Sequence, residues 1–357
     1  MTRRFIPALL ALVLLALVQP TQAQVTLKWK LAKGEKFDLV SETTTKSVTT
    51  TTDQFGNNNK EEETETENVT RLVEITEVTS EGNFKMLVTM VEMEKVSKSA
   101  ERTMTFSAKK DAEGKKSVSV NINAKNPLLG GRDVKALMEK LASNLLDYKM
   151  MFEITPQGVV LSAKGEGDPF ADLPEDTQVT KMISKTVRRM LNPDDLPQMA
   201  AAEAFAQLPE QPVQLAQDWP LRRAFTVMGL SMDGRGTTIL EKVQDEDGQR
   251  IATLQEKMVY KVDATKFNKM LKELMEGIFA DAGLPVKLSV HLKATNDIDA
   301  TATSLFNISQ GHTTSTTWSG LTIPFGGTMT INVAGQQNTV SMDLQVTVET
   351  KNTWKKK

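Results

Sequence analysis

The stretch that decides the fold is "SETTTKSVTTTTDQFGNNNKEEETETENVT", residues 41–70. It contains almost no large apolar side chains, so it is either a solvated stalk or part of a folded sheet. A mucin-like stalk would mix Ser and Thr with proline, and no proline occurs between Pro20 and Pro127. Threonine is β-branched and favours strands. The composition therefore favours a sheet.

Two apolar runs border this stretch and indicate how it folds. "KFDLV" ends at Val40 and "VTRLVEI" ends at Ile75, with "FGNNN" (55–59) between them. We predict a long hairpin that turns at 55–59 and brings Val40 to within a residue or two of Ile75. Its base packs on the core, and the tip (within 41–67) projects into water, where its charges discourage pairing with other molecules. A disordered tip is the alternative.

Other segments alternate apolar and polar residues, which predicts half-buried strands. The first is "VTLKWKLAKG" (25–34), followed by strands that turn at "SEGN" and "DAEG". Short turns between alternating strands are typical of an antiparallel meander. A second meander begins near Pro212, and Gly311, Gly326–Gly327 and "AGQQN" (334–338) are predicted to be the turns between its closing strands.

Four segments have the apolar spacing or the composition of helices, namely 132–148, 178–191, 198–208 and 264–280. Asp263 is predicted to cap the last one. The sequence therefore predicts an α+β fold: long antiparallel strands in a curved sheet or incomplete barrel, with three or four amphipathic helices packed on it.

Residues 1–23 are predicted to be a secretory signal peptide, with Arg3 and Arg4 before the apolar run "FIPALLALVLLALV" and a small-residue ending. An uncleaved anchor is the alternative. Secretion across the inner membrane would place the chain in the periplasm or outside the cell, with no transmembrane span after cleavage. Segment 24–208 is predicted to hold a strand meander plus helices. Segment 209–357 is predicted to hold a second meander with one helix, interpreted as a pseudo-repeat that shares one sheet with the first.

Composition excludes several classes of function. The chain has 43 Lys and Arg against 45 Asp and Glu, a formal charge of −2. This balance argues against nucleic acid and anionic membranes as partners. The absence of cysteine excludes disulfides, thiolate catalysis and lipid attachment at a cysteine.

Reactive residues do not form a known motif. His291 and His312 are the two histidines, and neither lies in a cluster with the ligand spacing of a zinc site. No G-x-S-x-G elbow and no glycine-rich phosphate loop occur. "DEDG" (245–248) fits a hairpin turn better than a calcium loop. The sequence therefore predicts no catalytic residue, no metal site and no cofactor.

Methionine is abundant: 18 residues, in a chain that is 5% aromatic. Methionine fills irregular spaces and adapts to varied apolar partners, so Met-rich helix faces could line a pliable cavity between helices and sheet. Ordinary core packing is the alternative. The residues predicted to line such a cavity are Leu137, Met138, Leu141, Met182, Ile183, Phe267, Met270, Leu271 and Leu274.

Three segments carry a resemblance: "LKWKLAKGEKFDLVSETT" (27–44), "ITPQGVV" (154–160) and "GGTMTINVAGQQNTVSMDLQVTVET" (326–350). They resemble an uncharacterised family of secreted bacterial proteins, which pairs long Thr-rich strands with a repeated meander. That family implies no activity. At the level of fold, the layout is similar to lipoprotein-carrier half-barrels, which implies helices against a concave sheet.

The leading hypothesis is a non-catalytic secreted or periplasmic protein that binds an apolar ligand, lipid or lipoprotein-like, between sheet and helices. A structural or adaptor protein of the cell envelope, contacting an envelope protein through the Thr/Glu hairpin, is the second hypothesis. A hydrolase with scattered carboxylates is the third. The identity of the ligand and the oligomeric state do not follow from the sequence.

Overall fold

A computed structural model describes residues 24–125, 131–190, 192–227, 230–281, 283, 286–294, 297–333 and 336–357. The predicted signal peptide lies outside the described residues, as do two residues of the predicted "AGQQN" turn.

The described residues form fourteen strands and four helices. The strands are β1 (Lys36–Thr52), β2 (Asn58–Val78), β3 (Phe84–Ser99), β4 (Arg102–Lys110), β5 (Lys116–Ala124), β6 (Lys149–Ile154), β7 (Val160–Glu166), β8 (Asp218–Val227), β9 (Leu230–Glu246), β10 (Gln249–Asp263), β11 (Val286–Ala294), β12 (Ile298–Asn307), β13 (His312–Val333) and β14 (Gln336–Lys356). The helices are α1 (Arg132–Asp147), α2 (Gln178–Met190), α3 (Asp195–Ala204) and α4 (Thr265–Asp281).

All fourteen strands belong to one curved, unclosed antiparallel sheet in the order β5-β4-β3-β2-β1-β14-β13-β12-β10-β9-β8. The sheet forks twice: β6 and β7 extend from the first half of β3, and β11 pairs with the second half of β13. Helix α1 packs on β3, β4 and β5, α3 on β6, β7 and β8, and α4 on β11 and β9. The predicted α+β class is confirmed.

The predicted long hairpin is present as β1 and β2. Its predicted register was wrong, because Val40 lies opposite Thr70 instead of near Ile75. The chain turns at Asp53–Asn57, slightly earlier than predicted, and the Asp53 carboxylate accepts hydrogen bonds from the backbone N–H groups of Phe55 and Asn57, both at 2.9 Å. This local Asx-type capping fixes the turn and therefore the register of both strands.

The segment 25–34 was predicted to be a strand and forms only an isolated bridge, between Val25 and Val213. Its alternation of buried and exposed residues is as predicted. The segment instead crosses other parts of the chain: the N–H of Trp29 donates to Pro156 and that of Lys30 donates to Gly311, both at 2.7 Å. Burial of alternate residues therefore does not require a partner strand.

Gly326–Gly327 was predicted to be a turn, and this was wrong because β13 runs through it without interruption. A side chain at Gly327 would collide with the carbonyl oxygen of His291 in the neighbouring strand β11. This glycine permits close approach of two strands instead of a change of direction.

The main core contains an aromatic cluster drawn from distant parts of the chain. Trp354 lies 5.6 Å from Trp29, 5.8 Å from Phe37 and 5.8 Å from Phe205, measured between ring centroids. Phe306 lies 6.0 Å from Trp29. Both predicted segments, 24–208 and 209–357, contribute to this cluster, and the division between them stays a prediction.

No helix in the described part of the chain is both long and apolar enough to cross a membrane.

Candidate ligand-binding site

The cavity-lining residues predicted on α1 and α2 lie in different surroundings. Leu137 is fully buried. Met138 packs with the apolar side chains of β4 and β5, and Leu141 packs with a cluster after β7. Met182 and Ile183 are half-buried on α2.

The residues predicted on α4 form a separate group. Phe267 and Leu271 pack against the apolar face of β11, while Met270 and Leu274 are half-buried. The structure therefore does not gather the nine residues around one space: four of them pack in three separate apolar clusters. Whether any of them lines a cavity stays a prediction.

The two faces of β13 and β14 differ in chemistry. On one face Ile323 lies opposite Val346, and on the other Thr322 lies opposite Thr347, with their hydroxyl oxygens 3.2 Å apart. The apolar face also packs against α4, through Met342 of β14. We call this helix-bearing side the inner face.

Three inner-face residues of β14, Leu344, Val346 and Val348, form what we call the β14 strip. They are half-buried and lie between two packed clusters. Ile323, opposite Val346, packs with the cluster of β8, β9, β10 and β12, and Met342 packs with the cluster under α4. The strip belongs to neither cluster, so its apolar surface is partly uncovered.

Small hydroxyl side chains border the β14 strip on β1. Thr45 lies opposite Val348, Ser47 opposite Val346 and Thr49 opposite Leu344. The inner face therefore changes from apolar on β14 to polar on β1, an arrangement that matches a molecule with an apolar part and a polar part.

Beyond that border, β2 presents charged residues that are already paired. Glu65 lies 2.6 Å from the Lys95 ammonium, and Glu63 lies 2.9 Å from the Arg102 guanidinium. The pKa of Glu63 lies below its ordinary value: burial raises it, and the bonds from Ser97 and Arg102 outweigh that effect. The Glu63 carboxylate is therefore ionised at neutral pH.

A buried ionic cluster lies at the other end of the inner face. Arg223 of β8 donates to the Glu256 carboxylate of β10 at 2.8 Å, and their side chains are 5% and 0% exposed. The Arg223 guanidinium also lies 4.8 Å from the ring centre of Trp318 in β13. Because β9 and β12 separate these strands in the sheet order, the contact requires the sheet to curl. We call these three residues the Arg–Glu–Trp cluster.

The cluster leaves several polar atoms unsatisfied. Glu256 Oε1, Arg223 Nε, Trp318 Nε1 and the hydroxyl of Thr238, which lies opposite Glu256, are buried without a hydrogen-bond partner among the described residues. Burial raises the pKa of the Glu256 carboxyl, and Arg223 offsets part of this effect. A buried ion pair of this kind is a weak source of stability.

Sequence reasoning missed this cluster, although a signal was present. In "LQEKMVY" (254–260), every second residue faces the same side of the predicted strand, so Glu256 lies on one face with Leu254, Met258 and Tyr260. A carboxylate on the apolar face of a predicted strand needs a buried partner. The partner itself is 33 residues away in sequence, so the pattern does not identify it.

A cleft of about 300 Å³ lies between α3 and β8. Most of its lining residues are apolar, and its polar side chains are either positively charged or neutral. The lining residues are Gly158, Val159, Val160, Gln198, Ala201, Ala202, Phe205, Gln207, Arg222, Arg223 and Ala224. We call it the α3–β8 cleft.

The histidines lie apart from these features. His291 is exposed, with its Nε2 2.8 Å from the Ser289 hydroxyl. His312 is buried, with its ring nitrogens 2.9 Å from Gln310 Oε1 and 3.0 Å from the carbonyl oxygen of Thr313. Among the described residues, no group of three or more potential ligands could hold a metal ion.

Comparison with known proteins assigns no family. No family model matches the chain, and no curated protein matches it. An outer membrane channel from Pseudomonas putida F1 is 9% identical, with 90% of this chain and 97% of that chain covered, at a TM-score of 0.15. OccK5 (OpdH) from Pseudomonas aeruginosa is 8% identical, with 89% and 98% covered, at a TM-score of 0.19.

A third solved structure, DynF from the dynemicin biosynthesis pathway of Micromonospora chersina, is 9% identical. It has 92% of this chain and 86% of that chain covered, at a TM-score of 0.13. TM-scores this low support no conclusion about the fold or the function of this chain. The resemblance to lipoprotein carriers stays a prediction.

Proposed function

We propose that the chain is a non-catalytic protein, secreted to the periplasm or beyond, that binds an apolar or amphiphilic ligand on the inner face of its sheet. The observation that carries the proposal is the β14 strip. Its three aliphatic side chains face the helix-bearing side and are only half-buried. Removing apolar surface from water lowers the free energy by roughly 25 cal/mol per Å². A bound apolar group would supply the missing cover.

The surroundings of the strip support a ligand with a polar end. The hydroxyl border on β1 lies next to the strip, and the paired charges of β2 lie one strand further away. A lipid chain would lie on the strip with its oxygen-bearing head near Thr45, Ser47 or Thr49. The arrangement of helices against one face of an open sheet is also the one expected for a lipoprotein-carrier architecture.

The β14 strip can be tested with a charge placed on either face of β14. Val346 faces inward, and its neighbour Gln345 is exposed on the outer face. We expect Val346→Asp to abolish binding of the uncharged probe N-phenyl-1-naphthylamine, because a charge in the strip excludes the apolar ring. Gln345→Asp, the matched control, should bind as the wild type does. Titration by probe fluorescence measures both.

Two results would overturn the proposal. One is a wild-type protein that does not enhance probe fluorescence and yields no lipid in mass spectrometry after purification from its native host. The other is a folded Val346→Asp variant, verified by circular dichroism, that binds the probe unchanged.

A further inference from the structure

The α3–β8 cleft differs from the β14 strip in location and charge. Two arginines line it, and no carboxylate is among its lining residues. Its other polar side chains are the amides of Gln198 and Gln207. From this arrangement we infer a second binding site, for a small organic carboxylate with an apolar body.

Arg223 forms the fixed part of this site. Its guanidinium donates to Glu256 and to the carbonyl oxygen of Ala202 at the end of α3. It is almost fully buried, and its Nε has no partner among the described residues. Its position in the cleft wall is therefore set before any ligand arrives.

Arg222 forms the adjustable part. Its side chain is 68% exposed, and it reaches Asp233 of β9 at 3.3 and 3.5 Å. An exposed ion pair of this kind contributes little free energy. Arg222 can therefore exchange Asp233 for a ligand carboxylate, to which a guanidinium can donate two parallel hydrogen bonds.

The remaining walls determine the body of the ligand. Val160, Ala201 and Phe205 supply an apolar end, and about 300 Å³ is at the lower end of the range for small-molecule sites. A neighbouring open cleft of about 520 Å³ contains Asp233 and Asp263. Arg222 borders both clefts, and Arg223, its neighbour in β8, extends to the opposite face of the sheet. The carboxylates of the open cleft disfavour an anion there, so the ligand's carboxylate lies at Arg222 on the α3 side and its apolar body points towards Phe205.

The chain offers a matched control for Arg222. Arg235 lies directly opposite it on β9, is 74% exposed and reaches the same Asp233 at 3.8 Å. Arg235 does not line the cleft. Replacing Arg222 or Arg235 by glutamine removes one exposed positive charge next to Asp233 in either case. Only Arg222→Gln removes a charge that lines the cleft.

The test uses octanoate, octylammonium and octanol, which share one tail, in isothermal titration calorimetry with the purified protein. We expect octanoate to bind best to the wild type, and Arg222→Gln to weaken it about tenfold or more, as loss of a hydrogen bond to a charged group does. Arg235→Gln should bind octanoate within about twofold of the wild type. Binding of N-phenyl-1-naphthylamine to the β14 strip should stay unchanged in both variants, so this site can fail independently of the proposed function.

Three results would overturn the inference. Octylammonium or octanol binding as well as octanoate to a Val346→Asp protein, whose β14 strip no longer binds apolar molecules, would show that charge plays no part in the cleft. Equal loss in Arg222→Gln and Arg235→Gln would show that the effect arises from net charge and not from the cleft. No heat of octanoate binding at millimolar concentration would show that the site does not exist.

Discussion

Glu256 shows how one residue can set the conditions under which a fold is stable. Its carboxyl is fully buried and accepts one hydrogen bond from Arg223, while Oε1 is left without a partner among the described residues. Removing a charge from water costs several kcal/mol, and one guanidinium contact offsets only part of this. The charged form is therefore disfavoured, and the pKa of Glu256 is raised.

We predict that Glu256 makes stability depend on pH in a defined direction. The folded state holds this proton more tightly than the unfolded state, where the pKa is about 4.5. The contribution of protonated Glu256 to the free energy of unfolding is therefore complete below pH 4.5, and it is lost as the pH rises through the folded-state pKa. We expect urea unfolding of the wild type and of Glu256→Gln, measured from pH 4.5 to pH 8, to show this loss. The free energy of unfolding of the wild type minus that of the variant should decrease as the pH rises.

Taking the difference removes the contribution of the other carboxylates, which both proteins share. Tyr260, also buried beside the cluster, has a pKa raised by burial and stays neutral across this range. A difference that is constant or that rises with pH would contradict the prediction.

At the scale of elements, the pairing of β9 with β10 requires close backbone contact at one glycine. Gly236 of β9 lies opposite Met258 of β10. A side chain at Gly236 would collide with the carbonyl oxygen of Lys257 and with the Met258 backbone. Backbone cannot move aside as a flexible side chain can, so this part of the sheet requires glycine.

Two glycine-to-alanine substitutions should have opposite effects. Gly236→Ala should lower the free energy of unfolding by about 1–3 kcal/mol or more, because it overpacks two strands. Gly277→Ala should raise it by about 0.5–1 kcal/mol, because Gly277 lies in α4 with open space around it and alanine favours helices. Denaturant unfolding measures both, and a neutral Gly236→Ala would refute the strand-contact argument.

For the whole molecule, the last strand ties the chain together. β14 pairs with β1 along the full length of that strand, and Trp354 contacts Trp29 and Phe37 from the beginning of the described chain. The final described backbone N–H, that of Lys357, donates to Lys36 at 3.0 Å. The segments on either side of residue 209 therefore share both a sheet and a core.

We predict that the chain unfolds in a single cooperative transition and that Trp354 stabilises the whole molecule, not one segment of it. Trp354→Ala should lower the free energy of unfolding by about 3–5 kcal/mol, the range for removing a large buried aromatic side chain. The exposed neighbour Lys355 offers the control substitution Lys355→Ala, which should have little effect. Far-ultraviolet circular dichroism and tryptophan fluorescence should report coincident transitions in every variant. Two separate transitions would show that the segments fold independently.

The sequence by itself determined most of the strands, the helices and the faces they bury, with segment 25–34 and the continuity of β13 as the exceptions. The period-two alternation on β3, β10 and β14, and the helical spacing on α1 and α4, are local properties that persist in the fold. The hairpin in the Thr-rich stretch followed from composition, since threonine favours strands and proline was missing. Its register did not, because a two-residue shift of the turn displaces every pair along both strands.

Tertiary structure alone decided which distant residues meet. The contacts of Arg223 with Glu256 and Trp318 depend on strand order and curl; the local pattern marks Glu256 as a carboxylate on an apolar face but does not identify its partners. Gly326–Gly327 carries a turn signal, yet the close approach of β11 to β13 uses the same lack of a side chain for packing. The β14 strip is apolar in sequence like any core strand, and only the positions of the neighbouring clusters leave it partly uncovered.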